Sequence, residues 1–155
     1  MRTLLRYLAV LTLSALGLGV AAPEASAADF GVRAGYYFDA EEPFVGAELL
    51  ARVAPRIYFN PNVEYVLVGD GLSYLTINGD FHYDFPTRGS NFIWAGAGLG
   101  LVRVDPDGPD NSNTDPALNL LAGVGWRTGG VIPYVQGKVI INGGNEFVLA
   151  FGLRF

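Results

Sequence analysis

Residues 146–155 read "EFVLAFGLRF". Phe147, Leu149, Phe151, Leu153 and Phe155 alternate with Val148, Ala150, Gly152 and Arg154, a period of two that belongs to a β-strand with one bulky apolar face. A soluble protein would cover that face with a second layer and would usually finish on polar, loosely held residues. Where the face goes therefore decides the fold.

The same alternation recurs in seven earlier segments. Phe30, Val32, Ala34, Tyr36 and Phe38 face away from Gly31, Arg33, Gly35 and Tyr37. Val45, Ala47, Leu49, Ala51 and Val53 oppose Gly46, Glu48, Leu50 and Arg52. Ile57, Phe59, Pro61, Val63 and Tyr65 oppose Tyr58, Asn60, Asn62 and Glu64, and Leu75, Ile77, Phe81, Tyr83 and Phe85 oppose Thr76, Asn78, Asp80, His82 and Asp84. In the fifth and sixth segments Ile93 to Leu101 and Leu118 to Trp126 alternate with glycine, Trp94, Asn119 and Leu121. The seventh sets Tyr134, Gln136 and Lys138 against Val135, Gly137, Val139 and Ile141. Every segment thus has one apolar face and one face of glycine, charge and amide.

The segments run to about ten residues, the length a tilted strand needs to cross a bilayer, whereas soluble strands average roughly five to six. No stretch has convincing helical spacing, so no helix is available as a covering layer. Inside hydrocarbon every strand edge must be paired, so a spanning sheet has to close on itself, and eight strands close with both ends on one side. The predicted fold is all-β, a closed eight-stranded antiparallel up-and-down transmembrane barrel over residues 28–155.

Composition agrees. The chain has 155 residues, half of them hydrophobic, with positive mean hydropathy and 21 glycines. Arg2 and Arg6 precede "YLAVLTLSALGLGVAA" and then "PEASA", the pattern of a secretory signal peptide over residues 1–27, with cleavage expected after Ala27. Its removal leaves 8 basic and 14 acidic residues, a net charge of −6, which disfavours a nucleic-acid partner. There is no cysteine, hence neither a disulfide nor thiolate chemistry.

The connections "DAEEP", "GDG" and "DPDGPDNSNTDP" carry Asp39, Glu41, Glu42, Asp70, Asp105, Asp107, Asp110 and Asp115 without a basic residue. The alternate set "APR", "PTRGS" and "RTGG" carries Arg56, Arg88 and Arg127 without an acid. The long connection falls on the acidic side, which orients that side outward and the chain ends toward the periplasm. On this orientation Phe30, Phe59, Tyr83, Phe85, Trp126 and Phe155 cluster at one depth and Tyr36, Phe38 and Tyr65 at the other, as two interfacial girdles.

Taken together, residues 29–155 resemble the small eight-stranded outer-membrane barrels of Gram-negative bacteria, the OmpA/OmpX type. The resemblance implies the cell outer membrane as location, and membrane lipid, lipopolysaccharide and the outer-membrane assembly machinery as partners. It also implies that Phe147, Leu149, Phe151, Leu153 and Phe155 serve as the C-terminal signal read by that machinery. Tyrosine is common in the family where Leu153 stands, a mild departure.

The lumen of eight strands is just wide enough to be filled by side chains. The polar network expected there comprises Arg33, Glu48, Arg52, Glu64, Asp80, His82 and Lys138, joined by Asp84, Gln136 and Arg154, nearly balanced in sign. A first hairpin centred in "DAEEP" would set Arg33 directly opposite Glu48. Pro61, in mid-strand, predicts a bulge, since a closed barrel offers no edge to absorb a missing N–H. Some members of the class are lipid A-modifying enzymes, for which this sequence offers His82, Asp84 and, of Ser73, Ser90 and Ser112, only Ser90 within plausible reach. The His-x-Ser of the deacylases is absent, and the chain is expected not to be an enzyme. Asp105, Asp107, Asp110 and Asp115 form a weak candidate calcium loop without EF-hand spacing; no metal or cofactor is expected. The expected role is structural or interactive at the cell surface. The alternatives are a small pore and a soluble lipocalin-like ligand-binding barrel with the strands turned inside out.

Overall fold

The computed structural model describes residues 28–69, 72–105 and 113–155. Residues 1–27, together with Asp70, Asp107, Asp110 and Ser112, lie outside them. Eight strands follow one another: β1 (Asp29–Tyr37), β2 (Glu42–Ala54), β3 (Ile57–Val66), β4 (Ser73–Phe85), β5 (Asn91–Asp105), β6 (Asn113–Trp126), β7 (Ile132–Ile141) and β8 (Asn145–Arg154). Each pairs antiparallel with the next, and β8 pairs with β1, so the sheet is a closed barrel. A ten-residue strand tilted by about 40° rises roughly 25 Å, the height of the apolar band of an outer-membrane barrel.

Burial runs opposite to polarity. Phe30, Phe81, Leu99, Phe151 and Phe155 point outward and are exposed, Leu99 to 71%, while Glu64, Thr76, Asp80 and Asn119 inside are 0% exposed. This is the sign expected of a protein whose outer solvent is hydrocarbon, and it excludes the inside-out lipocalin arrangement. Exposed Phe30, Tyr83, Phe85, Trp126 and Phe155 ring the rim that carries the chain ends and short connections, hereafter the turn rim. Exposed Tyr36, Phe38 and Tyr65 ring the opposite loop rim.

The lumen is stacked in three layers. Toward the loop rim Tyr37, Phe44, Val66, Val102, Ala117, Ile140, Val148 and Ala150 pack together; toward the turn rim Phe92, Trp94, Leu121 and Tyr134 do the same. A polar layer lies between. The large rings fit because glycines face them: a Cβ on Gly123 would run into Trp94, and one on Gly152 into Tyr134. Gly152→Val is therefore expected to overpack the lumen and lower stability by about 1–3 kcal/mol, read by urea unfolding of the folded barrel in lipid vesicles.

Two local expectations are corrected. The β3–β4 register runs unbroken through Pro61, which pairs with Gly79, so Pro61 is not a bulge. The pairs that would join Pro61 and Asn60 to Leu49 and Leu50 are missing from the β2–β3 ladder, and the Asn60 side chain donates to the Leu49 carbonyl at 2.7 Å instead. A neighbouring amide thus supplies the donor that proline lacks. The register shift falls lower on the same pair, between Arg52 and Ala54.

The second correction concerns the long acidic connection, which is partly strand. Asp105 ends β5, Asn113 to Pro116 begin β6, and Val104 pairs with Asn113. The β6–β7 ladder starts only at Leu118, so Asn113 to Ala117 pair with β5 alone, and the exposed Asn113 to Pro116 project above the rim as an edge. Asp115 and Pro116 blunt that edge against pairing with another chain.

The β1–β8 seam has 7 residue pairs against 14 between β5 and β6. At the loop rim it is clasped by side chains. Glu146 accepts the backbone N–H groups of Asp39 (2.8 Å) and Ala40 (3.1 Å), and Asp39 accepts that of Phe147 (3.1 Å).

Candidate functional site: the polar layer of the lumen

Strand alternation turns every second residue of β1 to β4, β7 and β8 toward the axis, and in the middle layer those residues are polar. Glu48 is one hub. It accepts from Arg154 Nε at 2.8 Å and from Asn60 Nδ2 at 2.9 Å, and lies 3.4 Å from Arg33 Nη1. Glu64 is the other. Its carboxylate takes Lys138 Nζ at 2.9 and 3.0 Å, the Tyr37 hydroxyl at 2.5 Å, the Thr76 hydroxyl at 3.3 Å, and stands 3.4 Å from Arg33 Nε. Arg33 bridges the hubs, so one connected network joins β1, β2, β3, β7 and β8.

Arg33 and Glu48 come together, but not as direct cross-strand neighbours. The register pairs Arg33 with Gly46 and Gly31 with Glu48, two residues away from the arrangement expected from the sequence. The ion pair spans that diagonal because both side chains are long enough to reach across it.

Asp80 has no cation within salt-bridge distance among the described residues. It accepts two amide N–H bonds instead, from Asn62 (2.9 Å) and Asn119 (2.8 Å). Asn78 donates to Asn62 at 3.0 Å and accepts from Asn119 at 2.8 Å, which makes an amide chain across three strands. These asparagines, with Tyr37 and Thr76, were not among the expected network residues. Their alternation already turned them inward, but amides carry no charge to draw attention to them.

Arg52 does not join the network. It lies below the polar layer at the turn-rim mouth, exposed, where the β2 register shifts. His82 is buried lower still than Asp80, its ring between Tyr58 and Trp94 at 5.5 Å from each centroid. Its Nε2 stands 3.3 Å from Asp84 Oδ1 without hydrogen-bond alignment. Arg154 covers the Tyr134 and Trp94 rings at 4.2 and 5.1 Å, and Trp94 Nε1 donates to Gln136 at 3.2 Å. The guanidinium thereby ties the polar layer to the aromatic layer beneath it.

No Ser–His pair forms among the described residues. His82 pairs with Gly96, and Ser90 stands six residues before Gly96, about 20 Å of extended chain away. Ser73 lies at the far end of β4, paired with Asp105. Asp105 itself accepts from Arg103 Nε at 2.9 and 3.2 Å, and Asp115 from Asn113 at 2.5 Å.

Comparison with solved structures fits this geometry. The N-terminal β-barrel domain of Pseudomonas aeruginosa OprF superposes with a TM-score of 0.70 at 14% identity, over 83% of this chain and 95% of that one. The fold is that of the small outer-membrane barrels. Neisserial surface protein A, NspA, matches the barrel with a TM-score of 0.67 at 19% identity, over 85% and 98% of the two chains. The outer-membrane enzyme PagL matches it with 0.55 at 17% identity, over 82% and 98%. No family model and no curated protein matches the chain. At these identities the shared barrel is architecture, and the site must speak for the function.

Proposed function

We propose that the protein is a non-enzymatic integral protein of the cell outer membrane with a sealed lumen, whose role is structural or interactive at the cell surface. The observation that carries this is the combination of an outward apolar belt with a lumen closed twice, by the aliphatic layer under the loop rim and the aromatic layer above the turn rim. Between them, Arg33, Lys138 and Arg154 equal Glu48, Glu64 and Asp80 in number, so the charges of the polar layer balance. A pore would need a continuous wet path, and two packed layers across so narrow a lumen support the sealed reading.

In the proposed orientation the acidic loop rim faces outward, and the ends of β5 and β6, projecting beyond the neighbouring strands, are the surface offered for interaction. The proposed partners are membrane lipid, lipopolysaccharide in the outer leaflet, and the assembly machinery, which would read the outward β8 face of Phe147, Leu149, Phe151, Leu153 and Phe155. The absence of enzyme activity is proposed from the separation of His82 from Ser73 and Ser90.

The test has two arms. Envelope fractionation with heat-dependent gel mobility is expected to show an outer-membrane band that shifts on boiling, and recovery in the soluble periplasm would refute the membrane assignment. Planar-bilayer recordings of the folded protein are expected to match bare bilayer; reproducible unitary conductance would replace the sealed barrel with the pore.

A further inference from the structure

Charge is balanced throughout the lumen except at the turn-rim mouth. There Arg52, Arg56 and Arg127 line one polar cavity of about 240 Å³ with Tyr58, Thr87 and Asp84. None of the three guanidinium groups has a carboxylate within salt-bridge distance among the described residues, whereas Arg33, Lys138 and Arg154 above them each do. Asp84 is the only acid in the cavity wall, and its near neighbour is His82. In a protein of net negative charge, three cations against one anion at one spot is a local reversal.

Two backbone irregularities converge on the same place. The β2–β3 register shifts between Arg52 and Ala54, and a bulge is the usual device for re-aiming a side chain next to a binding site. Arg56 then occupies the third position of the "APRI" turn with φ at +63°, where glycine or asparagine is the low-cost choice. Holding a long side chain in that conformation costs on the order of 1 kcal/mol, and such strain concentrates at functional sites. Arg127 is fixed from the other wall: its guanidinium stacks 4.2 Å over Phe92, and its backbone N–H donates to the Ser90 carbonyl.

We propose that this mouth is a binding site for a phosphate-type oxyanion. Three planar guanidinium forks lining one cavity match a tetrahedral group with several acceptor oxygens, and the Tyr58 hydroxyl adds a donor. The site stands at the depth of the turn-rim aromatic girdle, with Trp126 beside Arg127 in sequence and Ile57 beside Arg56. In the orientation proposed above, that is the headgroup level of the periplasmic leaflet. The phosphate could thus come from a phospholipid headgroup or from a soluble phosphate.

The test uses the full folded barrel in zwitterionic detergent. Calorimetric titration with inorganic phosphate and pyrophosphate probes the soluble source. Native mass spectrometry after exposure to phosphatidylglycerol, against phosphatidylcholine alone, probes the lipid source. At least one is expected to bind, and Arg52→Gln with Arg127→Gln is expected to weaken it about a hundredfold, roughly tenfold for each charge-assisted contact removed. Arg88→Gln, on the same rim but outside the cavity, is expected to leave binding unchanged, and retained heat-dependent gel mobility shows that the variants fold. Binding of phosphate or pyrophosphate assigns the soluble source; retention of phosphatidylglycerol alone assigns the lipid. The proposal is overturned if neither binds, if the double variant binds like the parent protein, or if Arg88→Gln weakens binding equally.

Discussion

Glu64→Leu is expected to lower the folding stability of the barrel by about 3–5 kcal/mol, the largest effect of any single lumen substitution. The carboxylate takes Lys138 at 2.9 Å and stands 3.4 Å from Arg33, and both the Tyr37 and Thr76 hydroxyls donate to it. Removing it leaves a buried ammonium without its counter-charge, halves the compensation of Arg33 and takes the acceptor from two hydroxyls, which as donors keep only their 3.2 Å contact with each other. The double substitution Glu64→Leu with Lys138→Met removes charge of both signs and is expected to recover most of the loss. Urea titration of vesicle-reconstituted protein, arranged as a double-mutant cycle, separates these outcomes. A single-variant loss below about 1 kcal/mol would mean that the network is solvated and contributes little.

Leu99→Arg carries the second large effect. Leu99 stands near the middle of β5, points outward and is the most exposed large apolar side chain of the described residues at 71%. On a water-soluble surface such a change costs within about 0.5 kcal/mol. At the midplane of a bilayer an outward arginine costs about 2–4 kcal/mol. The same urea titration in vesicles decides between the two. Thr114→Arg on the projecting part of β6 is the internal control and is expected to be close to neutral. Equal costs at the two positions would remove hydrocarbon as the outer solvent.

The alternation of apolar and polar residues made the architecture legible because in a barrel it has only one reading: the strand period fixes which side chains share a face, and the number of segments fixes the closure. All eight strands and the direction of every lumen residue named above follow from it. Register does not, since it depends on turn geometry. A hairpin centred one residue earlier changes the partner of Arg33 from Glu48 to Gly46 while leaving the arginine and the glutamate inside.

Pro61 illustrates a second limit. The missing donor was evident, but its replacement by the Asn60 side chain depends on a rotamer and on the position of Leu49 across the ladder. Arg52 shows a third: period two turned it to the lumen side, but it stands four residues below Glu48 on β2, at the depth of the mouth and not of the network. The amide chain through Asn62, Asn78 and Asn119 was inward by pattern, yet only three-dimensional proximity across β3, β4 and β6 makes it a chain.

The clasp between Asp39 and Glu146 bears on how the barrel comes into being. Seven of its eight ladders join strands adjacent in sequence and can form as successive hairpins, whereas the last joins residues 111 to 123 apart, Tyr37 with Val148 and Gly31 with Arg154. Bringing ends that distant together carries a length-dependent entropy cost of about 4 kcal/mol, against the shortest ladder in the sheet. The reciprocal bonds of Asp39 and Glu146 place extra enthalpy at one tip of that ladder, where it can act before the rest has zipped. Closure is then a late, cooperative event that propagates from the loop rim downward, and the topology makes it the slow step of folding.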